Sequence, residues 1–195
     1  MLLDGQAVEL GVGPHGEFGR DVMGVGTSGY VSAQVLAPGA VKDWGGVDLI
    51  ARGSGTDFFS YAGTGKPFDD VLVEGSAGVR ASYQYNPTLI IGAEALGGYE
   101  QRTGALSERL VFGSVGLPVA EAATPDLWVY TDITLGIAVP FDIGHGCSGA
   151  PFCGFQEIPL GVVWRVTPWL LVSAEGGLSL PVNGGYGGVS AMFRL

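Results

Sequence analysis

Residues 71–85 read VLVEGSAGVRASYQY, and splitting them by parity separates two faces. The odd positions carry Val71, Val73, Ala77, Val79, Ala81, Tyr83 and Tyr85, whereas the even ones carry Leu72, Glu74, Ser76, Arg80, Ser82 and Gln84. Side chains alternate sides only in an extended chain, so a period of two held this long marks one strand with an apolar and a polar face. Ordinary strands run about 5–6 residues.

The same split works further along. Leu89, Ile91, Ala93 and Ala95 oppose Gly92, Glu94 and Gly98; Leu127, Val129, Ile133, Leu135, Ile137 and Val139 oppose Trp128, Tyr130, Asp132, Thr134 and Gly136. Leu160, Val162, Trp164 and Val166 oppose Gly161, Val163 and Arg165, and Val172, Ala174 and Leu178 oppose Ser173, Glu175 and Gly177. Between these runs stand NPTLIIGAE (86–94), TPDLWVYTD (124–132) and TPWLLVSAE (167–175), each with a small polar residue, a proline and a carboxylate seven places after it. VRASYQYNPTLIIGAE also aligns on LGVVWRVTPWLLVSAE at an offset of 81, so the chain repeats a hairpin unit with a tight proline turn.

Carried through the chain, the pattern predicts about ten strands near 5–13, 21–37, 44–54, 71–85, 88–101, 108–121, 126–140, 157–167, 169–180 and 186–195, with eight as the alternative. A single domain over residues 1–195 is expected. Glycine is abundant, 35 of 195 residues, and only 14% of residues are charged, which disfavours helices and a water-facing sheet surface. No apolar run is long enough for a spanning helix. MLLDGQAVELGVG lacks a basic start and a long apolar stretch, so either the chain stays inside or a leader was removed.

The polar faces are sparse and rich in Gly, Ser and Thr, as in the crowded interior of a small closed barrel, while the Val/Leu/Ile/Ala faces suit hydrocarbon. Tyr83, Tyr85, Trp164 and Trp169 cluster at the proline turns, where an aromatic girdle meets the membrane boundary. The repeated carboxylates Glu94, Asp132 and Glu175 then point inward by parity, together with Arg80, Arg165, Arg194 and Arg52. A turn centred on Pro87 sets Arg80 opposite Glu94, which predicts a cross-strand ion pair and a lumen plugged by Arg80, Glu94, Asp132, Arg165 and Glu175.

These hairpins, with short turns at one end and longer loops at the other, and the C-terminal strand GGVSAMFRL, in which Val189, Ala191, Phe193 and Leu195 alternate, resemble the small bacterial outer-membrane β-barrel proteins, the group of the OmpA transmembrane domain and OmpX. The last residue departs from the group's usual Phe. The resemblance implies an all-β, closed, antiparallel up-and-down transmembrane barrel in the bacterial outer membrane. Its surface loops would lie near 14–20, 55–70, 102–107, 141–156 and 181–185, in contact with outer-membrane lipid, lipopolysaccharide or a protein partner.

Cys147 and Cys153 in GCSGAPFCG read as a local disulfide made in an oxidising compartment. The net charge of −10 without a basic run excludes a phosphate-binding nucleic-acid surface. His15 in GPHGEFG and His145 in DIGHGCSG, the latter near Asp142 and Ser148, are expected as exposed loop residues rather than general bases, since no nucleophile motif accompanies them. The glycines of GVGPHG and GYGG lack a Walker lysine and read as hairpin glycines. Asp57, Asp69, Asp70 and Asp142 read as loop acids. The function expected is therefore a structural or loop-mediated interaction barrel, without enzymatic activity or cofactor. A narrow porin-like channel and a soluble calycin-like barrel for an apolar ligand are the alternatives.

Overall fold

The computed structural model describes residues 8–18, 22–36, 46–60, 70–104, 107–141, 150–180 and 184–195. Ten strands follow one another: β1 (Val8–Phe18), β2 (Val22–Leu36), β3 (Gly46–Ser60), β4 (Asp70–Gln84), β5 (Leu89–Thr103), β6 (Glu108–Thr124), β7 (Leu127–Pro140), β8 (Cys153–Thr167), β9 (Leu170–Leu180) and β10 (Gly184–Arg194). Each pairs antiparallel with its sequence neighbour, and β1 pairs with β10, so the sheet closes into an up-and-down barrel. Closure leaves no strand edge with unpaired amides, which is the condition for a sheet to sit in hydrocarbon.

The small polar residue ahead of each proline turn ties it shut. Asn86 Oδ1 accepts from the Thr88 and Leu89 amides, both at 2.8 Å, and Thr167 Oγ1 accepts from the Leu170 amide at 3.0 Å. Thr124 Oγ1 does the same for the Asp126 amide at 3.3 Å. These contacts replace backbone bonds that proline cannot make.

The apolar parity faces outward. Val73, Val115, Leu135, Leu160 and Val189 are all more than half exposed, while their neighbours Leu72, Ser114 and Thr134 are buried. Outward-facing charges in the described strands are Asp57, Arg109 and Glu121, all toward strand ends and away from the middle of the belt. An apolar exterior around a polar interior is a transmembrane barrel. The soluble calycin-like alternative, which needs the apolar face inside, is thereby overturned. Tyr83, Tyr85, Trp164 and Trp169 are exposed beside the proline turns, and Trp169 stacks on Phe193 with ring centres 6.5 Å apart.

Inside, aromatic rings lie over glycines of the neighbouring strand. Tyr30 faces Gly11, Tyr130 faces Gly161, Tyr186 faces Gly177, Phe112 faces Gly98 and Phe155 faces Gly136. A Cβ on any of these glycines would enter the ring opposite it. The high glycine content thus has a packing cause: glycine on the inner face lets a ring lie flat against the wall.

Prolines interrupt single ladders without ending strands. The β1–β10 ladder skips from Val12 to His15 around Pro14, and the β7–β8 ladder lacks partners around Pro159. Consequently β1 continues through GPHGEF and β3 runs to Ser60, where sequence patterning had placed loops. GVGPHG and GYGG accordingly lie within strands and not in hairpin turns.

Candidate functional site

Among the described residues the strands converge their polar chemistry on the lumen, which is built in tiers. At the proline-turn end, Trp128, Ile90, Ala120, Leu171 and Met192 are buried, and Glu9 and Arg194 face each other across β1 and β10 with Arg194 Nε 3.4 Å from Glu9 Oε2. Tyr30 donates its hydroxyl proton to the Glu9 carboxylate. Apolar side chains and an ion pair therefore line this end of the barrel, and the luminal cavity reaches them.

Above it lies the central network. Arg80 and Glu94 stand opposite each other in the β4–β5 register, and Arg80 Nε and Nη2 donate to Glu94 Oε2 at 2.8 and 2.6 Å. Arg52 Nη2, reaching in from β3, lies 2.9 Å from both oxygens of the same carboxylate and 3.9 Å from Asp132 Oδ2. The Glu94 side chain is 1% exposed and receives two guanidiniums, so its charge is compensated in a poorly hydrated place. Glu175 is held differently: Tyr130 donates to its Oε2 at 2.6 Å.

Arg165 and Arg194, expected to answer these acids, lie elsewhere. Arg194 serves Glu9, and Arg165 stands opposite Leu171 near the proline turns. Tyr30 and Glu9 are members that the sequence patterning did not single out, and Tyr130, placed inward by parity, had been given no partner. Their sequence signal was the glycine that each tyrosine covers on the next strand.

The upper tier is acidic. Glu74 stands opposite Glu100, Glu17 and Glu157 lie within electrostatic reach of it, and all four line one cavity of about 860 Å³ that continues down to the central network. His15, expected in an exposed loop, instead points into this tier from β1, as does Thr56 from β3; Asp70 is buried at the start of β4. The physical reason is that the β1–β10 ladder lapses only at Gly13 and Pro14 while the β1–β2 ladder runs through them, so the alternation continues past Pro14.

His15 Nε2 lies 2.7 Å from Thr56 Oγ1 and 3.3 Å from Glu17 Oε1, and Thr56 donates to Glu17 at 3.0 Å. In a hydrolytic triad the carboxylate orients one imidazole nitrogen while the other meets the hydroxyl. Here the same nitrogen meets both, and Nδ1 has no hydrogen-bond partner among the described residues. The trio therefore does not have the geometry of a hydrolytic triad.

His145, Asp142, Ser148, Asp69 and Cys147 lie outside the described residues, so the Cys147–Cys153 bridge stays an expectation; Cys153 itself opens β8. Among the described residues no group of three His, Cys, Asp or Glu side chains is arranged to hold a metal ion.

These features define the chain as a ten-stranded transmembrane β-barrel with a polar lumen. No protein-family model and no curated protein sequence matches it. Solved structures do share the fold. The translocator domain of the autotransporter NalP from Neisseria meningitidis superposes with a TM-score of 0.52 at 9% identity, covering 98% of this chain and 90% of that one. The NanC porin gives 0.52 at 10% identity, covering 95% and 100%. A loop-deletion form of OmpT, an outer membrane protein of Vibrio cholerae, gives 0.43 at 13% identity; the match covers 93% of this chain but only 62% of that one. At these identities the likeness is one of fold.

Proposed function

We propose that this chain is an integral protein of the bacterial outer membrane, acting as a structural barrel or as a platform that presents its loops to a partner. The observation that carries the reading is the proline-turn end, where the large side chains of Trp128, Leu171 and Met192 project into the lumen beside the Glu9–Arg194 pair. Large side chains projecting there oppose a wide conducting path. Placement in the outer membrane draws on the apolar belt, the aromatic residues beside the tight turns, and the shared fold.

Outer-leaflet lipid, lipopolysaccharide or a protein partner would meet the connections at the end opposite the proline turns. Closer kinship with OmpA and OmpX is supported by the tight turns and by the alternating C-terminal strand. Ten strands instead of about eight weigh against it.

The test is conductance across a planar lipid bilayer. The unmodified protein should give no discrete current steps, and Glu94→Ala and Glu175→Ala should weaken folding without creating them. Steps from the unmodified protein, with a size that changes in those variants, would instead establish the narrow channel.

A further inference from the structure

Two prolines inside strands bracket one hairpin. The β5–β6 ladder lapses between the pairs Ile91–Val119 and Glu94–Gly116, beside Pro118. The β7–β8 ladder lapses between Thr131–Leu160 and Thr134–Glu157, beside Pro159. Pro118 pairs with Asp132 in the β6–β7 ladder, which is unbroken there, and Asp132 falls opposite Pro159, so the two lapses lie level with each other. Proline has no N–H to give the strand beside it. At this height β6 and β7 therefore hold each other more fully than they hold β5 and β8.

The luminal cavity reaches into the wall at the same places. Val119, Thr131 and Val189 belong to the outward parity, yet they line the cavity, and each borders a proline lapse. Side-chain donors also stand at the β7–β8 lapse: Thr131 Oγ1 donates to the Pro159 carbonyl at 2.6 Å, and Thr134 Oγ1 lies 3.5 Å from the Asp132 carbonyl. They can keep these carbonyls bonded when the strands part, which lowers the cost of parting inside a membrane. A tie crosses the lapse from within, because Tyr130 on β7 lies over Gly161 of β8 and donates to Glu175 on β9 at 2.6 Å. On the opposite wall β4 and β5 pair without a lapse and are clasped by Arg80 on Glu94 at 2.6 and 2.8 Å.

We propose that the β6–β7 hairpin is the yielding segment of the wall. It parts locally from β8 at Asp132 and Pro159 and from β5 at Gly92 and Pro118 while the rest of the barrel stays closed, and the bond from Tyr130 to Glu175 is its latch. Local opening favours the segment with the fewest bonds to break. The inference is independent of what the loops meet.

The test is amide hydrogen exchange, read by nuclear magnetic resonance on the full chain refolded in phosphatidylcholine nanodiscs, with each rate divided by its intrinsic value. The amides of Gly116, Asp132 and Thr134, which border the lapses, should exchange at least about fivefold faster than those of Gly78 and Arg80 in β4, the scale set by one net hydrogen bond. Pro159→Val, which restores a donor opposite Asp132, should slow Asp132 and Thr134, and Tyr130→Phe should speed them further. Neither variant should move Gly78 or Arg80. Equal protection of the two groups in the unmodified barrel, or rates at Asp132 and Thr134 that neither variant moves, would overturn the proposal. The comparison within the unmodified chain decides by itself if a variant fails to fold.

Discussion

Replacing Glu94 by leucine should strand two arginines inside the barrel. The side chain is 1% exposed, and it accepts from Arg80 at 2.6 and 2.8 Å and from Arg52 at 2.9 Å. Removing one partner of a buried pair costs about 3–5 kcal/mol, chiefly because the other charge stays desolvated. Arg52 is 40% exposed on its side chain and retains Asp132 nearby, so its share is discounted; Arg80, at 16%, cannot rehydrate so easily. The expected loss is therefore about 3 kcal/mol, at the lower end of that range.

The double variant Arg80→Met/Glu94→Leu removes both charges, and apolar replacement of a buried pair is often close to neutral. It should recover at least about half of the loss, which gives a coupling energy well above the ~0.5 kcal/mol scatter of independent sites. Urea unfolding in short-chain phosphatidylcholine vesicles, followed by tryptophan fluorescence, measures all four corners of the cycle. A loss below about 0.5 kcal/mol for Glu94→Leu, or strictly additive single effects, would refute the network as a stabilising element.

Two further outcomes follow from the packing. Gly161→Val would drive a side chain into the Tyr130 ring and release its bond to Glu175, with an expected cost of about 1–3 kcal/mol in the same unfolding assay; Gly97→Ala, whose Cβ meets nothing closer than 3.9 Å, should be far milder. Val115→Arg, on the outward face of β6 where Val115 is 60% exposed, should cost up to about 2–4 kcal/mol in vesicles.

How far the sequence reaches depends on the element. In β4, β5 and β7 the inward row carries Glu74, Arg80, Glu94 and Asp132 among small residues and a few large apolar ones such as Leu72, Ile90 and Trp128, while the outward row carries no charge, so parity alone fixes which side chains share the lumen. The register of Arg80 on Glu94 follows from a turn centred on Pro87, because a tight turn leaves the pairing no freedom.

The N-terminal strands resist the same treatment. GVGPHGEF and GSGTDFFS mix glycine, proline and small polar residues that read as loop, yet each continues a strand because the neighbouring ladder is intact and a luminal ring or hydrogen bond compensates. His15 is the clearest example: its placement depends on Thr56 and Glu17 around it, a contact made between β1 and β3 that no local pattern encodes. The tyrosines that hold Glu9 and Glu175 were hidden for a related reason. Parity placed Tyr130 inward beside Asp132 without giving it a partner, and for Tyr30 the pairing with a glycine across the ladder is what shows it turning inward.

The central claim is that the apolar parity meets lipid and the polar parity encloses the lumen. Single nitroxide labels in vesicles test it directly, with Val115 and Leu135 representing the outward face and Ser114 and Ser173 the inward one. Oxygen, which concentrates in hydrocarbon, should relax the labels at Val115 and Leu135 strongly and those at Ser114 and Ser173 weakly. The opposite order, or equal relaxation at all four positions, would contradict the transmembrane barrel.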